Sequence, residues 1–206
     1  MKRIELSSIY TEWNGMRTPR LAFRKLRLED EQAVFHYASN PEVTKYVIFP
    51  THQSLEDTRA FIQLNLEKYE KGQVACWAVT LKDTGALVGT ADFCWWSLDQ
   101  RKAEVGYCFA TEHWGKGYAS EALMGLIKFG FTHMDLHRIE TRCFDENKAS
   151  ARVMEKAGMI HEGMMRDFIF VKERYWNIHH YAILREDFDK MAKYEEFELE
   201  IEWEER

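Results

Sequence analysis

Two glycines one residue apart, Gly115 and Gly117 in ATEHWGKGYASEALMGLIKFGF (110–131), abut a long run with helical apolar spacing. After Gly117, small or apolar residues recur at Ala119, Ala122, Leu123, Leu126, Ile127, Gly130 and Met134, with Glu121, Lys128 and Thr132 off that stripe. This i, i+3, i+4, i+7 spacing predicts an amphipathic helix. The glycines then stand at its N-terminus, where unpaired N–H groups and the positive end of the dipole converge. A bare backbone there suits an anion, unless the glycines serve only a tight turn or cap.

The flanking segments constrain how that helix is held. RLAFRKLR (20–27) alternates as a strand, and a helix begins near Asp30 and stops at Asn40-Pro41. A second helix follows, with Ser54 as N-cap, Asp57 three residues on and Gly72 past its end. VACWAVTL (74–81) and ALVGTADFCWW (86–96) read as a hairpin around the turn KDTG, and KAEVGYCFA (102–110) as a strand leading into the glycines. Beyond the long helix come a strand HRIETRCF (137–144), a short helix NKASARVMEKAG (147–158) and a strand pair, 159–170 and 174–184. The order predicts an α+β, or mixed α/β, fold in which the long helix crosses over between neighbouring parallel strands.

Composition narrows the function classes. A chain of 206 residues, 46% hydrophobic with three prolines, fits one globular domain spanning 1–206. No window approaches a membrane span, and the start, MKRIELSSIYTEW, lacks an apolar export core, so a cytoplasmic protein without a membrane partner is expected. The net charge of −6 disfavours a nucleic-acid partner. Part of it sits in the tail EEFELEIEWEER (195–206), expected to be a solvated end. Cys76, Cys94, Cys108 and Cys143 show no metal spacing and are expected to be buried free thiols. His133 and His137 are four apart with a helix end between them, so no metal is expected there. His179 and His180 point to opposite faces of one strand and cannot act together.

Three phosphate-binding designs place glycines before a helix. GKGY lacks the spacing and hydroxyl of a Walker-type loop. A Rossmann fingerprint wants glycines directly after a strand and an acidic residue at the end of the next one; here TEHW intervenes and Ser120 takes the place of the third glycine. The third design is the acyl-CoA loop. AEVGYCFATEHWGKGYASEAL followed by HRIETRCFDENKASARVMEKAGM resembles the Rim-type branch of the GNAT superfamily, the ribosomal-protein N-terminal acetyltransferases. The resemblance runs over roughly residues 20–188. One departure is Glu112, where the superfamily often has Gln or Arg.

The resemblance implies a GNAT fold, a central mostly antiparallel sheet with one splayed parallel strand pair, that binds acetyl-CoA and acetylates a primary amine without a metal. By it, Trp114, Gly115, Lys116, Gly117, Tyr118 and Ala119 wrap the pyrophosphate, and the backbone of Tyr107 to Ala110, with Phe109 among them, serves the oxyanion and the pantetheine amides. Asn147 would contact the pantetheine arm, unless it is only an N-cap. Glu104 is the first choice for the residue that takes a proton from the ammonium, with Asp92 in reserve. The alternative for Glu104 is a solvent-facing strand residue paired with an Arg. Many GNAT enzymes carry a tyrosine that protonates the leaving thiolate; Met154 stands there, so Ser150, one turn earlier, is the candidate donor. The acceptor implied is a protein N-terminal amine, with polyamines, amino acids and antibiotic-like amines as alternatives. A catalytically silent acyl-CoA-binding module is the rival reading, and a homodimer is left open.

Overall fold

The computed structural model describes residues 13–97 and 99–203. The N-terminal run 1–12, read above as lacking an export core, lies outside them, as do 204–206. A nine-stranded sheet forms the frame, in the order β7-β8-β6-β5-β4-β3-β2-β1-β9. Its strands are β1 Trp13–Arg17, β2 Leu21–Lys25, β3 Trp77–Leu81, β4 Leu87–Ser97, β5 Lys102–Phe109, β6 Arg138–Phe144, β7 Ile160–Val171, β8 Arg174–Leu184 and β9 Glu200–Trp203. Neighbours are antiparallel except β5 and β6. The long helix α4, Tyr118–Thr132, is the crossover that makes that pair parallel. The chain thus has the mixed α+β architecture its element order predicts.

Local signals set the remaining helices. These are α1 Glu31–Ala38, α2 Pro41–Thr44, α3 Leu55–Glu70, α5 Lys148–Ala157, α6 Arg185–Asp189 and α7 Ala192–Glu196. At α3 the Ser54 hydroxyl accepts from the Asp57 N–H while the Asp57 carboxylate accepts from the Ser54 N–H, a reciprocal capping box. Helices α1 and α3 cover the sheet face bearing Thr90, where the Tyr37 hydroxyl lies 3.3 Å from the Thr90 hydroxyl. The opposite face packs on α4 through Phe93 and Phe129, ring centroids 6.2 Å apart. Trp13 stacks on Phe129 at 4.6 Å and meets Trp77 at 3.9 Å, all three rings buried. Burying such side chains supplies about 1.5–3 kcal/mol each, so α4 is anchored along its length.

The structure corrects three expectations. Glu121, placed off the apolar stripe, is buried. It accepts from the Thr18 hydroxyl at 2.7 Å, the Arg20 N–H at 2.7 Å and Arg20 Nε at 2.6 Å, because the β1–β2 turn folds over the first turn of α4. The acidic tail is not simply a solvated end: 200–203 pair with β1 as β9, and Lys128 Nζ donates to the carbonyls of Tyr194 and Phe197 just before it. The thiols are free, but only Cys143 is buried; Cys76 and Cys108 are half-buried and Cys94 is exposed. No helix among the described residues is long and apolar enough to cross a membrane.

Breaking one side of the Arg20–Glu121 pair leaves a buried carboxylate with fewer donors. Such losses run to about 3–5 kcal/mol for buried pairs, and half-exposed Arg20 scales that down. Arg20→Met should cost about 1–2 kcal/mol in chemical denaturation. A loss under a few tenths would mean that the turn is held by packing alone.

Candidate active site

Pairing between β5 and β6 is confined to Lys102–Arg138, Ala103–Ile139 and Glu104–Glu140. Both strands continue, to Phe109 and Phe144, without further register between them. A fork therefore opens after Glu104. On its other edge β5 stays paired with β4 as far as Phe109 opposite Gly89, and the Ala110 N–H donates to the Val88 carbonyl at 3.0 Å. Antiparallel ladders turn alternate residues toward alternate neighbours. With Ala110 facing β4, the main-chain groups of Phe109 and Tyr107 face the fork. Of the stretch 107–110, Cys108 and Ala110 thus turn their main-chain groups to β4, while the N–H groups of Tyr107 and Phe109 face the gap.

The glycine loop closes the mouth of the fork. Gly115 and Gly117 have φ of +73° and +83°, which side chains other than glycine rarely adopt. A β-carbon on Gly115 would project into open space, and one on Gly117 would meet only Arg20 Nη2, at 3.3 Å. The first intrahelical bond of α4 runs from the Glu121 N–H to the Gly117 carbonyl, and no side chain caps the helix. The N–H groups of Tyr118, Ala119 and Ser120 are thus left for a guest. Trp114, half exposed, donates its Nε1 to the Phe109 carbonyl at 2.8 Å and ties the loop to the end of β5. Arg20 donates to the Lys116 carbonyl at 3.0 Å and lies 4.7 Å over the Tyr118 ring, bracing the loop from behind. Glu112 pairs with His36 on the surface.

Glu104 sits at the vertex of the fork, 7% exposed. Arg142 of β6 bridges the gap to it, Nε to Oε1 at 2.9 Å and Nη2 to Oε2 at 2.8 Å, and Trp95 Nε1 donates to Oε2 at 2.6 Å. The pairing with Arg is as anticipated, but Glu104 is buried rather than solvent-facing. A carboxylate offers about four acceptor positions; three are taken. Asp92 lies on the same sheet face and accepts from the thiols of Cys76 at 2.9 Å and Cys94 at 3.5 Å. Burial pushes its carboxyl up, against the thiol hydrogen bonds. No local sequence pattern points to Arg142, which the β5–β6 alignment brings onto Glu104, while Trp95, readable from sequence only as core or pocket wall, stands opposite Glu104 in the β4–β5 pairing.

Across the fork, Asn147 is an N-cap, its Oδ1 accepting from the Ser150 N–H at 3.1 Å, which leaves its amide nitrogen for another partner. The Tyr107 hydroxyl stands 2.8 Å from Ser150 Oγ. Met154 is buried in the core. Beyond Arg142 the β7–β8 hairpin bends at a register shift between Met165 and Ile169, which brings the Phe168 ring to 5.7 Å from the Arg142 guanidinium. Tyr46, just after α2, packs against Phe144 and Trp176, and Lys172 donates to the Thr44 carbonyl, so hairpin and helix wall one side of the site.

The histidines serve locally. His133 stacks on Phe129 and bonds Thr132, His179 bonds His161, and His180 lies 3.7 Å from Glu162. Among the described residues no group of three or more potential ligands is placed to hold a metal ion. A groove of about 440 Å³ between α1 and α3, lined by Leu28, Glu31, Glu56, Arg59, Ala60 and Gln63, is bridged by an Arg59–Glu31 ion pair and is remote from the fork.

An anion seat at a helix N-terminus beside a fork of unpaired strand edges fits a ligand with a pyrophosphate head and an amide-bearing arm. It defines an acyl-CoA-dependent transferase. The profile of the acetyltransferase (GNAT) domain matches residues 20–160, and the chain belongs to that family. The uncharacterized N-acetyltransferase p20 of Bacillus licheniformis is 33% identical over 89% of this chain and 99% of its own. The ribosomal-protein-serine acetyltransferase of Escherichia coli is 30% identical over 63% of this chain and 72% of its own. Among solved structures, a GNAT-family acetyltransferase from Bacillus anthracis is 37% identical, covering 84% of this chain and 99% of its own with a TM-score of 0.75. Two more distant structures share the fold. RimL, a ribosomal alpha-N-protein acetyltransferase in complex with coenzyme A, is 20% identical at TM-score 0.71 over 81% of this chain and 94% of its own. The Vibrio cholerae spermidine N-acetyltransferase, with CoA and spermine, is 22% identical at 0.70 over 81% and 96%.

Asparagine tolerates the left-handed region and fills space, so Gly117→Asn separates the seat from the turn. CoA affinity should fall at least tenfold, about 1.4 kcal/mol, with little change in the ligand-free melting temperature. Unchanged calorimetric affinity would reduce the glycines to turn formers. Asp92, raised by burial, favours folding fully below its unfolded value of about 3.9 and loses that contribution as pH rises through its folded value. The stability of Asp92→Asn relative to the parent should therefore climb with pH across this window, measured by denaturation at several pH values. A flat difference would remove burial as the dominant influence.

Proposed function

We propose that the chain transfers the acetyl group of acetyl-CoA directly to a single amine carried on an apolar body, a protein N-terminus being the first candidate. The observation that supports this reading is the pairing of the carboxylates around the acceptor side. Glu104 is held by Arg142, Glu146 by Arg174 and Lys45, and Glu162 and Glu140 by Arg138. A polyamine would have to displace those cations to gain its own ion pairs, whereas one ammonium needs a single acceptor position. The Phe168 ring and the Tyr46–Phe144–Trp176 wall suit apolar atoms next to that amine.

Acetyl-CoA supplies the activated acetyl group. The chain's residues do the rest. The loop from Trp114 to Ala119 with the first turn of α4 holds the phosphates, and the main-chain N–H groups of Tyr107 and Phe109 hold the carbonyl and the arm. Asn147 positions the arm through its amide nitrogen. The remaining acceptor position on Glu104 takes the ammonium hydrogen, so that the proton leaves to water along a carboxylate whose place Arg142 fixes. Ser150 donates to the sulfur. Attack in a ternary complex is favoured because the thiols about the fork are held protonated: burial pushes Cys108 up to about 12, and Cys76 and Cys94, although Asp92 stands beside them, are pushed well up too.

The test is CoA release with acetyl-CoA and a panel of peptides with free N-termini, polyamines, amino acids and antibiotic amines. Peptides should turn over with the highest kcat/KM, and a preference for spermine over every peptide would overturn the acceptor class. Glu104→Gln should lower kcat by about 10²-fold while calorimetric CoA affinity stays within twofold. Full activity in this variant would pass the role to Asp92, to be checked with Asp92→Asn.

A further inference from the structure

Thiol release lacks an evident acid. Met154 is 1% exposed in the core, and a thioether has no proton to give. Ser150 has one, yet a serine hydroxyl serves sulfur poorly unless its proton is aimed and its oxygen polarised by another donor. The structure brings such a donor from the opposite arm of the fork. The Tyr107 hydroxyl is 2.8 Å from Ser150 Oγ and 3.4 Å from the Ser150 carbonyl oxygen. Of two hydroxyls at that distance one donates and the other accepts. Burial pushes the Tyr107 phenol well up, against the lowering effect of the Ser150 bond, so it remains protonated and able to donate at neutral pH. The serine in turn is fixed at its N–H by Asn147.

We propose that Tyr107 is a positioning residue for thiol release: its hydroxyl donates to Ser150 Oγ and so frees and aims the serine O–H at the departing sulfur. The inference rests on the acetyl-transfer reading above. In the step, the carbon–sulfur bond breaks with its electron pair on sulfur, and the Ser150 hydrogen bond holds that charge. The proton that completes the thiol is the one the acceptor nitrogen gives up on becoming an amide. Neither hydroxyl changes its protonation over the cycle. The arrangement uses the opening of the fork: Tyr107 on β5 and Ser150 on α5 meet across it, and a donor placed there acts where the arm of the cosubstrate must pass.

Tyr107→Phe, Ser150→Ala and the double variant decide the matter together with calorimetry of CoA and of desulfo-CoA, which lacks the thiol. Tyr107→Phe should lower kcat about tenfold with KM for acetyl-CoA unchanged, and the double variant should lose no more than the worse single one. In binding, Tyr107→Phe should weaken CoA about fivefold and leave desulfo-CoA alone. Equal loss for both ligands, or a kcat equal to that of the parent, would make Tyr107 a packing residue and overturn the proposal. Melting curves of both single variants separate these outcomes from a loss of folding. Should no amine be acetylated by the parent chain, the functional reading fails, while the CoA and desulfo-CoA comparison still settles Tyr107.

Discussion

The parting of β5 from β6 after three registered pairs is the constraint on which the site depends. A sheet that continued to pair would satisfy every main-chain group and leave nothing for a ligand. Here β5 keeps β4 on one side and loses its neighbour on the other, so Tyr107 turns its main-chain donor and acceptor to the gap and Phe109 its donor, the Phe109 carbonyl being taken by Trp114 Nε1. The cost of leaving such groups unpaired is about 1–3 kcal/mol each if dry. That cost offers a reason for the fork to lie open to solvent and to a ligand that can restore the bonds. The Arg142–Glu104 pair spans the vertex and stops the gap from running further into the sheet.

The second element is the brace behind the glycine loop. A loop with two positive-φ glycines and an uncapped helix start has little to hold it by itself. Arg20 binds it at the Lys116 carbonyl, at the Tyr118 ring and at Glu121, and Thr18 completes the set from the same turn. The β1–β2 turn thus transmits the rigidity of the sheet to the anion seat, so that the N–H groups are in place before a ligand arrives.

Sequence reasoning reached the elements whose signals are local. The glycine turn, the Ser54 cap and the KDTG hairpin are written within one or two turns of chain and are found as read; α4 forms where its spacing puts it, but Glu121, Gly125, Phe129 and Phe131 are buried beside the predicted stripe, so the helix is covered on more than one face. The nature of Glu121 was not legible, because helical spacing places it off the apolar stripe and only the fold of a turn 101 residues away buries it. The Glu104 partners were hidden for the same reason: Arg142 is 38 residues distant and reaches Glu104 only through the parallel alignment. Strands β1 and β9 are short, and one pairs mainly with the other's far end of chain, a pairing no local pattern announces.

The same distinction bears on how the chemistry is divided. The residues proposed to meet the ligand through main-chain groups, Tyr107, Phe109, Gly115 and Gly117, are constrained in backbone conformation more than in side chain. The side chains around the fork are constrained by each other: Glu104 by Arg142 and Trp95, Ser150 by Asn147 and Tyr107. Met154 is held in the core and has no proton to give, and the hydroxyl that meets Ser150 comes from the facing strand instead. A fork whose two arms each contribute one member of a hydrogen-bonded pair has its width set in part by that pair, so on the proposed reading the geometry that admits the pantetheine arm and the geometry that handles the thiol are coupled.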